Sequence, residues 1–289
     1  MNRYLIAAAL TIGILAEGKA ADSDDHLSRL FGSQESWIRE DPYEEPIETD
    51  RHDFTQSPKT VGRRVAQLEF GYLYLYNDAD GEVEHTHVTP EMMFRYGLAE
   101  NVEVRMRWNY AWRFIDIDDD KSGGEDLRVS LKLELTDACE CVPATALEIR
   151  TSVPTGGSDW STDGFEWGLD YIYEWELNDI FSIGGSTGFV TDGAGDVSLY
   201  DAEDGQTDSF VAWSQSLVLG AELSEQSTGY LEWFALFSDG LDDAFTQHYV
   251  NIGVDILITD NLVIDFRVGK GLTSGSEDLF AGVGGGFRF

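Results

Sequence analysis

Val102-Glu103-Val104-Arg105-Met106-Arg107-Trp108-Asn109-Tyr110-Ala111-Trp112-Arg113-Phe114 alternates large apolar residues with charged or small ones along its whole length. Val102, Val104, Met106, Trp108, Tyr110, Trp112 and Phe114 share one parity, and Glu103, Arg105 and Arg107 share the other. A period of two belongs to a β-strand, whose successive side chains point to opposite faces. No helix could bring either set to one side.

The same pattern recurs on both sides of this stretch. Leu68, Phe70, Tyr72, Tyr74 and Tyr76 oppose Gln67, Glu69 and Gly71; Val88, Met92, Phe94 and Tyr96 oppose Thr89, Glu91 and Arg95. Leu127 to Leu135, Leu147 to Val153 and Phe165 to Trp175 continue it. So do segments near 180–190, 208–223, 228–238, 246–258, 261–271 and 278–289, which brings the expected total to about twelve strands. The connections alternate in length. Short turns at 98–101, 177–179, 224–227 and 259–261 contrast with longer acidic, Gly-rich loops at 77–84, 116–124, 154–163, 191–206, 238–244 and 272–278.

Alternation fits either a soluble sandwich with an apolar core or a membrane barrel with an apolar outer face. Three features select the barrel. Aromatics crowd the apolar face near strand ends (Tyr76, Trp108, Trp112, Trp167, Trp175, Trp213, Trp233), as in interfacial girdles. The strands reach the ~9–11 residues that a tilted span requires. Charges of both signs fill the other face. An even number of strands, short periplasmic turns and long outer loops are the pattern of bacterial barrels. The fold class read here is therefore all-β, a transmembrane antiparallel up-and-down barrel in the outer membrane of a Gram-negative-type bacterium.

Arg3, the short apolar run Tyr4 to Leu15 and Gly18-Lys19-Ala20 read as a signal peptide over residues 1–20. Residues 21–62 are acidic and aperiodic, and are read as a periplasmic tail or plug; residues 63–289 form the barrel. No other segment is a continuous apolar run of the ~18 or more residues that a membrane helix needs. The net charge of −35 excludes nucleic acid as a partner, because phosphates would be repelled. Cys139 and Cys141 in an exported chain form either a strained local disulfide or two free thiols.

Met92-Met93-Phe94-Arg95-Tyr96-Gly97-Leu98 followed by Asn101-Val102-Glu103-Val104-Arg105 resembles the strand-turn-strand signature of the phenol-degradation meta-pathway transporter family of outer-membrane barrels. Glu48-Thr49-Asp50-Arg51-His52-Asp53-Phe54-Thr55 resembles the family's N-terminal motif, with His52 where proline is usual. Gln67 to Tyr72, Asp126 to Leu135, Ser152 to Gly156, Asp260 to Gly269 and Gly286-Phe287-Arg288-Phe289 resemble its other parts, so the likeness spans residues 48–289. The resemblance implies a barrel and a transporter, with hydrophobic or aromatic compounds as the cargo class. The terminal Phe289 resembles the end that barrel-assembly machinery reads.

With the polar face inward, Arg95, Arg105, Arg107, Arg128, Lys132 and Arg150 form a basic wall on neighbouring strands. Glu103, Glu134, Glu148, Glu166, Asp170, Glu174, Glu232, Asp255 and Asp265 supply the pore-lining acids. Opposed walls of this kind would set pore selectivity for small polar solutes. The alternative is that the charges pair across strands, Glu103 with Arg128 and Glu134 with Arg150. Asp116, Asp118 and Asp120 resemble the start of a calcium loop, but Lys121 stands where glycine is required, so they are only a weak cation candidate. His85, His87 and His248 near outer strand ends would serve a lipid hydrolase, yet no nucleophile elbow accompanies them.

The function expected is an outer-membrane channel for passive or facilitated uptake of small molecules, without cofactor or catalysis. A closed structural or adhesive barrel presenting acidic loops is the second reading, and a lipid hydrolase the third. Outer-membrane lipid, lipopolysaccharide, the assembly machinery and the cargo are the expected partners.

Overall fold

The computed structural model describes residues 41–79, 82–116, 119–139, 141–162, 164–191, 211–239 and 244–289. The signal segment, the remainder of the acidic lead and Asp118 lie outside the described residues.

Among the described residues thirteen strands follow one another: β1 (Ala66–Ala79), β2 (Glu82–Ala99), β3 (Val102–Ile115), β4 (Lys121–Gly124), β5 (Leu127–Thr136), β6 (Ala144–Val153), β7 (Glu166–Glu176), β8 (Phe181–Thr191), β9 (Val211–Ser224), β10 (Ser227–Asp239), β11 (Thr246–Thr259), β12 (Leu262–Gly271) and β13 (Leu279–Arg288). All pairings are antiparallel, and β1 pairs with both β2 and β13, so the sheet closes on itself. Closure leaves no edge to satisfy in lipid, the condition for a sheet to span a membrane.

Twelve staves make the wall because β4 and β5 are two pieces of one. Both pair with β3, β4 at Tyr110 to Arg113 and β5 at Val102 to Arg107. The register slips by one residue across Glu125-Asp126. Residues 116–124, expected as loop, therefore end in a strand. The slip turns the Asp126 carboxylate toward the loop after β6, where it accepts the N–H groups of Thr155, Gly156 and Thr162 at 2.7–3.2 Å.

The faces are those of a barrel in lipid. Phe70, Met106, Trp108, Ile149, Trp167, Ile252 and Phe266 point outward and are exposed, whereas Glu69, Glu103, Lys132, Glu232 and Asp265 are fully buried. A water-soluble sandwich would show the reverse.

One assignment of face needs correction. Val88 was placed with Met92 and Phe94, but it is buried inside the barrel. The β2–β3 register shifts between Val88 and Glu91, around Thr89-Pro90, and reverses the phase of the strand. Proline lacks the N–H that a regular ladder would use, and bulges are where it is tolerated.

The lumen has two layers. Near the outer end lie Leu73, Leu75, Val88, Ala111, Phe234, Tyr249 and Phe280, with Trp160 from the loop after β6. Phe234 stacks on Tyr249 at 4.7 Å between ring centroids. Trp160 is almost fully buried and takes Arg113 over its ring at 4.9 Å. Below this apolar layer the interior is charged.

Candidate functional site

Residues 41–65 run through the lower, charged half of the lumen. Ile47 N–H donates to the Asp260 carbonyl at 2.9 Å, and Arg288 Nη2 donates to the Glu45 carbonyl at 2.7 Å, which fixes the segment at the periplasmic rim. Val65 then leads into β1 at the same end of the barrel.

An irregular chain inside a barrel carries N–H groups that no ladder satisfies, and each needs an acceptor. The inward carboxylates supply them. Glu69 Oε2 accepts the N–H groups of Asp50 and Arg51 at 2.9 and 2.8 Å. Glu232 accepts those of Phe54 and Thr55 at 3.1 and 2.6 Å. Glu134 accepts from Thr60, and Glu103 from Val61 at 2.8 Å. Three of the acids read as pore lining, Glu103, Glu134 and Glu232, thus hold main chain.

Two side chains of the segment lock it to the wall. Asp50 Oδ2 meets Arg95 Nη1 at 3.3 Å, Lys132 Nζ at 3.1 Å and Arg105 Nη2. Burial alone would raise the Asp50 carboxyl pKa; the charges of Arg95, Lys132 and Arg105 outweigh it and hold the group far below the ordinary carboxylate range. Arg51 bridges Glu91 at 2.5 Å and Asp265. Its guanidinium fits because β1 and β13 are bare beneath it. A Cβ on Gly71 would lie 2.6 Å from Arg51 Cζ, and one on Gly284 would lie 2.2 Å from Arg51 Nη2.

His52 Nε2 lies 3.1 Å from Asp255 Oδ1, and its ring stands 5.5 Å from that of Tyr230. Burial would lower the imidazole pKa, but Asp255 and Asp53 outweigh it and push it up to about 10. Asp53 moves the other way from Asp50: burial and the nearby Glu232 raise its carboxyl well above the ordinary range, against the pull of His52.

The remaining predicted residues fall in four places. Glu148 is 3.3 Å from Arg105 Nη1 in the cluster around Asp50. Arg107, Arg128, Arg150 and Asp170 surround a cavity of about 80 Å³ between the segment and the apolar layer, and Arg150 pairs with Asp170. Glu174 lines a larger vestibule of about 460 Å³ at the periplasmic ends of β7 to β11. Glu166 is buried at the outer start of β7.

The anticipated cross-strand pairs do not form. Glu103 faces Lys132 and bonds to Arg95 and Arg105, while Arg128 lies further along β5, opposite Arg107. Glu134 faces Ala146, and Arg150 faces Ser130. A register offset of four residues puts both pairs out of reach. Glu69 and Glu91 carry the segment as much as any predicted acid. Their place on the polar faces of the first two strands was the signal for them.

The side chains of His85 and His87 meet tyrosine, and that of His248 meets tryptophan. His87 Nδ1 lies 2.8 Å from the Tyr72 hydroxyl, His85 Nδ1 lies 2.7 Å from that of Tyr74, and the His248 ring packs on Trp233. Cys139 and Cys141 are free and exposed in the short turn between β5 and β6. No group of acidic, histidine or cysteine side chains suited to a metal ion occurs among the described residues.

The COG4313 outer membrane channel from Pseudomonas putida F1 is similar in structure, with a TM-score of 0.62 at 12% identity, over 84% of this chain and 100% of that one. The transport unit of the autotransporter AIDA-I from Escherichia coli is similar at TM-score 0.51 and 9% identity, over 83% of this chain and 95% of that one. At these identities the likeness establishes the fold, a closed barrel of the Gram-negative outer membrane. No curated protein matches the chain in sequence. The family model described as "Putative MetA-pathway of phenol degradation" matches residues 49–289, from Thr49 in the lumen segment to the terminal Phe289, and the chain belongs to that family.

Proposed function

We propose that this chain is an outer-membrane channel for passive or facilitated uptake of small molecules, narrowed from below by residues 47–61 and from above by the apolar layer. The observation that carries this reading is the pair of spaces on either side of the segment, the cavity beside Arg107 and the periplasmic vestibule beside Glu174. A barrel built only to be solid would fill them, since protein interiors are close-packed. The segment is held by charge and hydrogen bonds on a wall that can also be hydrated, so a shift of the segment would join the two spaces.

The wall chemistry suits a solute that sheds little water. Rings of fixed charge select among permeating species, and both signs are present here. Hydrophobic or aromatic compounds are the cargo class that family membership suggests. The partners in this reading are the surrounding lipid and lipopolysaccharide, and the assembly machinery at Phe289, which is exposed beside Phe287.

The test is single-channel recording in a planar bilayer with the full chain. Small discrete conductance steps are expected, and Asp50→Asn should enlarge them by loosening the segment. The absence of steps from both proteins would overturn the channel reading in favour of a closed structural or adhesive barrel.

A further inference from the structure

The cavity under the apolar layer and the periplasmic vestibule share two lining residues, Asp53 and Gln56. The short route from one space to the other passes one of these side chains. The main chain between them, Phe54-Thr55, is tied down: its N–H groups go to Glu232, and the Thr55 hydroxyl donates to Ser216 at 2.6 Å. Gln56 is held as well, since its amide oxygen accepts from Arg105.

Asp53 is less bound. Its Oδ1 is buried without a hydrogen-bond partner, and burial together with Glu232 favours the neutral carboxyl. Polar atoms in the same condition continue on either side of it. Arg51 Nε, Asn251 Oδ1 and Arg267 Nε belong to residues that border the cavity above, and the Tyr230 hydroxyl to one that borders the vestibule below. Both donors and acceptors occur in this set. Buried groups of this kind gain bonds only when water or another polar group reaches them.

Sheet register explains why the seam lies here. Tyr230, Gly253 and Arg267 stand side by side across β10, β11 and β12. Gly253 leaves a notch in that row, and the Tyr230 ring leans into it. A Cβ on Gly253 would lie 2.3 Å from Tyr230 Cε1 and 2.5 Å from its hydroxyl oxygen. The ring stands against His52, yet no hydrogen bond holds its hydroxyl, so it turns without losing one.

We propose that the passage between the two spaces runs past Asp53 along the inner face of β10 to β12, and that Tyr230 is the side chain that sets its width. The solutes it admits are small and polar, able to exchange hydrogen bonds with donors and acceptors in turn. The Tyr230 ring and the Asp53 carboxyl are the groups that move. His52 stays anchored by Asp255 and by Arg267 Nη1, which donates to its carbonyl at 2.5 Å. Opening beside Gln56 would instead break its bond to Arg105. This inference rests on the channel reading and assigns its route.

The test uses the full chain carrying Cys139→Ser and Cys141→Ser, reconstituted in lipid. A small water-soluble methanethiosulfonate probes Asn251→Cys and Ser216→Cys, two sites that are both almost fully buried. The thiol of Asn251→Cys should react severalfold faster. Adding Tyr230→Ala should speed that reaction severalfold more and leave the rate at Ser216→Cys as it was. In bilayer recordings Tyr230→Ala should raise the unit conductance severalfold, and by more than Gln56→Ala does. Each variant is checked for the heat-dependent gel mobility of a folded barrel; if Asn251→Cys loses it, the conductance ranking decides. Equal reaction at the two thiols, or a rate at Asn251→Cys indifferent to Tyr230→Ala, would overturn the proposal. A larger conductance gain from Gln56→Ala would overturn it too, with the channel reading intact. The absence of steps from every variant would retire the channel reading, and the thiol rates alone would then decide the route.

Discussion

His52 of the lumen segment and Asp255 of β11 form an ion pair, Nε2 to Oδ1 at 3.1 Å, that joins the segment to the acidic side of the barrel.

Asp255, Asp53 and Asp265 act on His52, with Tyr230 against its ring. They raise the pKa from 6.5 to about 10. Because the folded value lies above the unfolded one, the stabilisation is complete below about pH 6.5 and is lost as pH rises through about 10. The temperature at which the unboiled gel band shifts should therefore fall between pH 7 and pH 10, apart from any common baseline. His52→Gln should be less stable at pH 7 and should lack that part of the fall. Equal pH dependence in both proteins would refute the tether.

Gly284 faces the Arg51 guanidinium. A Cβ there would sit 2.2 Å from Nη2, so Gly284→Ala must displace a fully buried cation from Glu91 and Asp265. A loss of ~3–5 kcal/mol is the usual scale for breaking a buried pair. Limited proteolysis should then cut within residues 41–65. Gly275→Ala, where no atom lies within 4 Å of the added carbon, should leave the digestion pattern as in the parent.

Phe54 joins the segment to the apolar layer through its stack on Phe234. Phe54→Ala removes that ring from the upper wall of the cavity. Stability should drop by ~1–3 kcal/mol, below the cost at a fully buried phenylalanine, because Phe54 is only partly buried. Conductance should rise; a narrower or unchanged pore in bilayer recordings would place the constriction elsewhere.

The thiols of Cys139 and Cys141 mark one end of the barrel. Both are exposed in the turn that lies on the same end as Ala66 and Phe289. A membrane-impermeant maleimide should label them in permeabilised cells and fail in intact ones. Labelling in intact cells would invert the orientation assigned here.

The staves were legible because one face of each had to be apolar for lipid. Val102 to Phe114 announces its strand, and Arg105 its inward face, on alternation alone. Where the lumen also turns apolar, the signal fades. Tyr72-Leu73-Tyr74-Leu75-Tyr76 is apolar on both faces, so nothing in it distinguishes the inward Leu73 and Leu75 from the outward tyrosines. The apolar layer was hidden for that reason, and Val88 was misplaced because a bulge changes phase without changing composition. In the site, residue types were readable but partners were not. Glu103 and Arg128 look complementary in sequence, and only the register, which sets Glu103 against Lys132, separates them. The acceptors for the segment's N–H groups could not be paired in advance, since an aperiodic chain has no register to extrapolate.

Asp50 stands where three staves bring their cations together, with Arg95 directly opposite Arg105 across the β2–β3 pair and Lys132 beside them. Glu69, Glu103 and Glu148 from the wall share in neutralising these cations, and Asp50 is the member of the set that comes from the segment. The convergence of three cationic staves is thus completed by a side chain that belongs to none of them.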